Sequence, residues 1–308
     1  MRNPLLCPLL VGVALMASAA PAAAQRRAMD HATQLTHADN YDPSLAPDDR
    51  RMVYVSVVSG REQLFVAKVD GTGSRQLTTD DANHEDPAWS PDGKRIAFVY
   101  IRDSLEIISV MDADGANARH LTPDTSKGIH PNWSADGRWL AYCTDDDLAP
   151  PRKNDADIRI IDMTTGAIRT VITGGINTYP SLSPDGRHIA FRKIVGDMNS
   201  EVFVADSDGG NLRNLTNLWA FDGWPAWSPD GSRIAFASNR NANYQVYVMK
   251  PDGSDVRLVA NTEGRATAPQ WSHDGIRLFF SVCLKADTGS DCEIYVARVA
   301  TDGTSPSH

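Results

Sequence analysis

The chain has 308 residues, 42% hydrophobic and 22% charged, a balance that excludes disorder on a large scale. Its formal charge of −9 argues against nucleic acid or an anionic lipid surface as a partner. Its four cysteines show no Cys-x-x-Cys or Cys/His spacing of the kind that holds zinc.

The first 24 residues differ from the rest. Arg2 precedes an apolar run from Leu5 to Ala17, and Ala22-Ala23-Ala24 forms an A-x-A pattern before Gln25. This predicts a secretory signal peptide cleaved after Ala24. A membrane anchor is the alternative, but the run is short for a span. Cys7, between Leu6 and Pro8, has no small residues before it and does not fit a lipoprotein acceptor cysteine. Losing the leader removes Arg2 and moves the formal charge to −10. No later segment reaches ~18 apolar residues, so no membrane span is expected in a periplasmic or secreted mature chain.

Residues 33–36, Thr-Gln-Leu-Thr, form a short strand-like segment that matches Arg75-Gln-Leu-Thr78 and Arg213-Asn-Leu-Thr216 further along. A longer phrase then repeats six times, most fully as Pro87-Ala-Trp-Ser-Pro-Asp-Gly-Lys-Arg-Ile-Ala-Phe98. The copies begin at Pro43, Pro87, Pro131, Pro180, Pro225 and Pro269, so the spacings are 44, 44, 49, 45 and 44 residues. A period of this size with strand-like content predicts a β-propeller with one blade per repeat.

In the second copy, 87–89 is a short inner strand and Ser90-Pro91-Asp92-Gly93 a turn, with Gly where positive φ is needed. Strands follow at 95–100, 106–111 and 119–122. Two residues after each leading proline stands a large apolar group: Leu45, Trp89, Trp133, Leu182, Trp227 and Trp271. This phase predicts inter-blade core rather than a ligand platform. The last copy stops after three strands, so residues 33–36 are expected to pair with 293–298 and close the ring, which removes exposed sheet edges. The expected fold is an all-β, six-bladed propeller of four-stranded antiparallel blades spanning 25–303, with a short tail at 304–308.

Three cysteines lie beyond the leader. Cys283 and Cys292 flank an eight-residue stretch between two strand-like runs and are expected to face each other across a hairpin as a disulfide. Two reduced buried thiols are the alternative. Cys143, after Trp139-Leu-Ala-Tyr142, reads as a buried small hydrophobe.

The phrase, followed by Tyr247-Val-Met and Asp252-Gly-x-x-x-Arg257-Leu258, resembles the TolB family of propeller repeats over roughly residues 30–303. The resemblance implies six blades. The same repeat type occurs in TolB of the periplasm, in propeller domains of prolyl-oligopeptidase-like and tricorn-like peptidases, and in oligogalacturonate lyases. TolB carries an α/β domain before its propeller. Residues 25–40 are too few for one, so the resemblance is to the propeller alone. The peptidases need a hydrolase domain, and the sequence has no G-x-S-x-G. The TolB resemblance implies docking of an envelope partner of the peptidoglycan-associated lipoprotein kind.

First strands line a propeller's central channel, so the residues before each leading proline should converge at one mouth. They vary where the rest of the repeat does not, as a binding surface requires. The candidate binding residues are Tyr41, Asp42, His84, Glu85, Asp86, His130, Tyr179, Asp222, Trp224 and Arg265. Some of them alternatively only cap strands. The long 145–157 loop accounts for the 49-residue spacing and reads as a solvated acidic loop or an insertion on the binding face. The expected activity is association with an envelope protein or peptide by a monomer that is not an enzyme, with no cofactor. The alternatives are a metal-assisted polysaccharide lyase or hydrolase, with His84 and His130 on adjacent blades holding the metal together with Glu85 or Asp86, an arrangement similar to the propeller histidines of the lyases, or a glycan-binding module.

Overall fold

Each repeated phrase folds as two antiparallel strands and the turn that joins them. A computed structural model describes residues 32–123, 127–144, 155–197, 199–285 and 290–299. The proposed leader, the tail and all but the last three residues of the 145–157 loop lie outside the described residues.

The first blade is β2 (Asn40–Leu45), β3 (Arg51–Val58), β4 (Arg61–Lys68) and β5 (Arg75–Gln76), in that order from channel to rim. The second is β6 (Asn83–Trp89), β7 (Arg95–Arg102), β8 (Leu105–Asp112) and β9 (Arg119–His120). The third is β10 (Gly128–Trp133), β11 (Trp139–Thr144), β12 (Ile158–Asp162) and β13 (Ile168–Ile172). The fourth is β14 (Asn177–Leu182), β15 (His188–Gly196), β16 (Asn199–Asp206) and β17 (Arg213–Asn214). The fifth is β18 (Asp222–Trp227), β19 (Ile234–Asn241), β20 (Asn243–Met249) and β21 (Arg257–Ala260). The sixth takes β22 (Arg265–Trp271), β23 (Arg277–Lys285) and β24 (Ser290–Arg298) from the end of the chain and β1 (Ala32–Gln34) from its start.

The turn chemistry explains why the phrase recurs. Ser90 Oγ donates to Asp92 Oδ1 at 2.6 Å, accepts the Arg95 amide at 2.9 Å, and Asp92 Oδ1 accepts the Lys94 amide at 3.0 Å. Ser134, Ser183, Ser228 and Ser272 make the same bonds to Asp136, Asp185, Asp230 and Asp274. The first copy lacks this serine, and Asp49 stands where the other turns have glycine. Its carboxylate accepts the backbone amides of His273 and Asp274 at 2.8 and 3.0 Å and so fastens the first blade to the last.

Closure is as expected. Ala32, Thr33 and Gln34 pair with Ala297, Val296 and Tyr295. The tryptophan stripe is inter-blade core: Trp89, Trp133 and Trp271 are buried, and the Trp133 and Trp271 indoles donate to the Ala88 and Ala226 carbonyls of the preceding blade, each at 3.0 Å. Cys283 and Cys292 are direct cross-strand partners in β23 and β24 and form a disulfide. Cys143 is fully buried in an apolar cluster with Ile158, Ile189 and Phe191.

Candidate functional site at the channel mouth

The inner strands do not run regularly to their prolines. In all six, the register against the second strand slips between the second residue before the proline and the first after it. At each bulge the residue just before the proline takes positive φ: Asp42 (49°), Asp86 (49°), His130 (55°), Tyr179 (54°), Trp224 (51°) and Ala268 (50°). A β-bulge re-aims a side chain, and left-handed backbone costs a non-glycine residue roughly 1–2 kcal/mol. Here the result is a ring of six side chains at one end of a cavity of about 510 Å³ that runs from them toward the Ser-Pro-Asp-Gly turns, where Pro91, Ala135, Pro184, Pro229 and His273 line it.

Position relative to the proline sorts the candidates. Three residues before it, Asn40, His84, Asn177, Asp222 and Ala266 are all buried away from the lumen. His84 is 2% exposed, packs on Phe98 and Tyr100, and borders a separate pocket with Asp80 and His120. Burial pushes its imidazole below the ordinary range, against the pull of Asp80. Asp222 is fully buried and pairs with Arg240 at 2.9 Å. His84 and Asp222 therefore do not join the ring. His84 and His130 face different pockets, and no group of three or more His, Cys, Asp or Glu suited to a metal occurs among the described residues.

Acids gather on the first two blades. Tyr41 Oη donates to Glu62 Oε1 at 2.7 Å, and Glu85 shares a hydrogen bond with Glu62. Burial, with Asp86 and Glu62 nearby, pushes the Asp42 carboxyl up to about 8. Burial, the Glu62 bond and the neighbouring carboxylates push Glu85 up to about 10. Burial raises Asp86 to about 6, although it accepts the His130 amide at 3.1 Å, a bond that favours its charged form. Burial and Glu62 hold the Tyr41 phenol protonated.

Aromatic rings and arginines occupy the next blades. His130 lies against Tyr179 with ring centroids 3.6 Å apart, and Tyr179 is 5.0 Å from Trp224, which meets Tyr244 edge-on at 5.9 Å. Arg192 covers Tyr179 at 4.7 Å and Trp224 at 5.6 Å. Arg265 covers Tyr244 at 4.5 Å and Trp224 at 5.5 Å. Desolvation raises the Tyr179 phenol despite Arg192. His130 Nδ1 also lies 3.2 Å from Cys143 Sγ, so that cysteine supports the ring from behind as well as filling core.

Arg192, Tyr244 and Glu62 were not among the sequence candidates, because they reach the mouth from second and third strands. Arg192 had a signal. It pairs with Thr178 at a site where the other second strands carry Val55, Val99, Cys143, Ala237 and Ser281. Gly223 makes room for it: a Cβ there would stand 2.8 Å from Arg192 Cδ.

The mouth is rimmed by hairpins joining second to third strands and by the loops leading into inner strands. Among the described residues, eleven large hydrophobic side chains are exposed, and seven lie on this rim: Val57, Val58, Leu105, Val195, Leu218, Trp219 and Leu284. Trp219 is 78% exposed. No helix among the described residues is long and apolar enough to cross a membrane.

Solved structures share this architecture. TolB from Acinetobacter baumannii is 23% identical with a TM-score of 0.64, over 76% of this chain and 57% of its own length. A putative TolB from Agrobacterium tumefaciens is 23% identical with a TM-score of 0.63, over 85% of this chain and 91% of its own. An oligogalacturonate lyase in complex with manganese is 14% identical with a TM-score of 0.59, over 87% and 93%. At these identities the likeness is one of fold. The family described as the TolB beta propeller domain matches residues 95–305, and the chain belongs to that family.

Proposed function

We propose that this protein is an exported, non-enzymatic propeller that docks a protein or peptide partner in the cell envelope at its channel mouth. One observation carries the reading: the exposed apolar side chains, Trp219 foremost, lie on the loops and hairpins at the end of the channel where Trp224 stacks with Arg192, Arg265 and Tyr244. Apolar groups beside a concave polar site supply what a docking interface needs, a desolvated anchor and an orienting pocket. Export would follow from the leader ending at Ala24. A partner of the peptidoglycan-associated lipoprotein kind is the one the family resemblance favours.

The test is affinity capture from an envelope extract with the wild type, Trp224→Ala, Asp86→Ala and Trp219→Ala. The reading expects a discrete partner whose recovery falls in all three variants. Equal recovery in all three would place docking elsewhere.

A further inference from the structure

Arg192 and Arg265 bring two positive charges to the mouth, and neither pairs with a carboxylate among the described residues. Arg192 Nε donates to Thr178 Oγ1 at 2.9 Å, whereas Arg265 Nε is buried with no acceptor. Stacking on Tyr179, Trp224 and Tyr244 fixes the guanidinium planes. A guanidinium held by its face keeps its edge donors for an in-plane acceptor such as a carboxylate.

The complementary groups, carboxyls, stand in the molecule but on the other side. In a six-membered ring the first blade faces the fourth and the second faces the fifth. Asp42 therefore stands opposite Tyr179 and Arg192, and Asp86 opposite Trp224. Asp42 offers its backbone amide to Ser281 Oγ at 2.9 Å, and its carboxylate neighbours, Asp86 and Glu62, are acids. The arginines and the acids are thus held on opposite sides of the ring, and a basic group that entered beside Asp42 and Asp86 would draw off the proton that burial keeps on Asp42. A polyanion finds only acids on the first two blades, and a polycation meets repulsion at the arginines. A neutral ligand leaves both sets uncompensated.

Resting on the docking reading above, we propose that the mouth selects a zwitterionic peptide segment: a basic side chain directed at Asp42 and Asp86, and a carboxylate beside an apolar residue directed at Arg192, Arg265 and Trp224. The partner's inserted segment would carry both charges within a few residues.

Calorimetric titration with three tripeptides tests this. The probes are acetyl-Lys-Ala-Phe with a free carboxylate, its C-terminal amide, and acetyl-norleucine-Ala-Phe with a free carboxylate. A charge-assisted bond is worth about 1.5–3 kcal/mol, so each blocked probe should bind at least about tenfold more weakly than the first. The amide penalty should vanish in the Arg192→Gln/Arg265→Gln double variant. The norleucine penalty should vanish in Asp42→Asn/Asp86→Asn. Circular dichroism of each variant checks that it folds, and a variant that fails is replaced by its two single substitutions. Equal binding of all three probes would overturn the charge selection while leaving peptide docking intact. No binding of the first probe at millimolar concentration, by wild type that still captures its envelope partner, would overturn it too. Loss of capture alone concerns the docking reading.

Discussion

Thr36 and Glu293 lie 257 positions apart in the chain, yet the Thr36 hydroxyl donates to the Glu293 carboxylate at 2.8 Å. The same hydroxyl accepts the Ile294 amide at 3.0 Å, and Glu293 also accepts the Ala38 amide at 2.7 Å. The ring is closed by side-chain bonds beyond the three-residue ladder of β1. Thr36→Val leaves the buried Ile294 N–H without its acceptor and should cost about 1–3 kcal/mol. Deleting residues 30–37 should abolish the single cooperative melt. A deletion variant that melts like the wild type would contradict this account of closure.

The Cys283–Cys292 disulfide ties β23 to β24, the strand that receives β1, and links residues nine apart. In the loop-entropy model a link of this length contributes about 2–3 kcal/mol. Cys283→Ser/Cys292→Ser should lower the stability measured by urea unfolding by the corresponding amount. An unchanged value would show that the link adds nothing to stability.

Asp42, Asp86 and Glu85 all titrate above the ordinary carboxylate range in the folded protein, at about 8, 6 and 10. The fold thus holds protons that the unfolded chain has released above about pH 4. Their contribution to stability is complete below that pH and is lost as pH rises through the folded values. His84 runs the other way: its value is lowered, so its contribution is lost as pH falls through the histidine range. Above about pH 7 the acids act without this opposition, and Tm should fall from there to about pH 9. Asp42→Asn/Glu85→Gln should flatten the decline. A wild-type Tm that rises over that interval would contradict the assignment.

What was legible in the sequence follows from how local each feature is. The Ser-Pro-Asp-Gly turns were legible because Ser90 and Asp92 bond to backbone within five residues of themselves. Closure was legible because three strands at the end and one at the start leave no other partner. The triplets before each proline were legible as a group, but not which member enters the lumen. The bulge at Asp86 interrupts strand alternation, turning Asp86 into the channel while His84 goes into the blade. Arg192, Tyr244 and Glu62 were missed because second- and third-strand residues reach the mouth only through tertiary register. Arg192 becomes visible only when Thr178 and its counterparts are aligned across all six blades.

Gly223 is the contact that lets Arg192 reach Trp224. Gly223→Ala would place a methyl group 2.8 Å from Arg192 Cδ, so the arginine must move off the Trp224 face. Overpacking of this kind costs about 1–3 kcal/mol. Trp fluorescence should change together with Tm. A variant with both unchanged would mean that Arg192 does not rest against that ring.

The most direct test of the central claim compares partner capture after substitutions on the two ends of the channel. Trp224→Ala and Trp219→Ala alter the mouth and its rim. Ile276→Ala alters an exposed apolar residue in the turn at the opposite end. The account predicts that the first two reduce recovery of the envelope partner and that Ile276→Ala leaves it at the wild-type level. Loss on Ile276→Ala, with full recovery for Trp224→Ala and Trp219→Ala, would put the partner on the other face and contradict it.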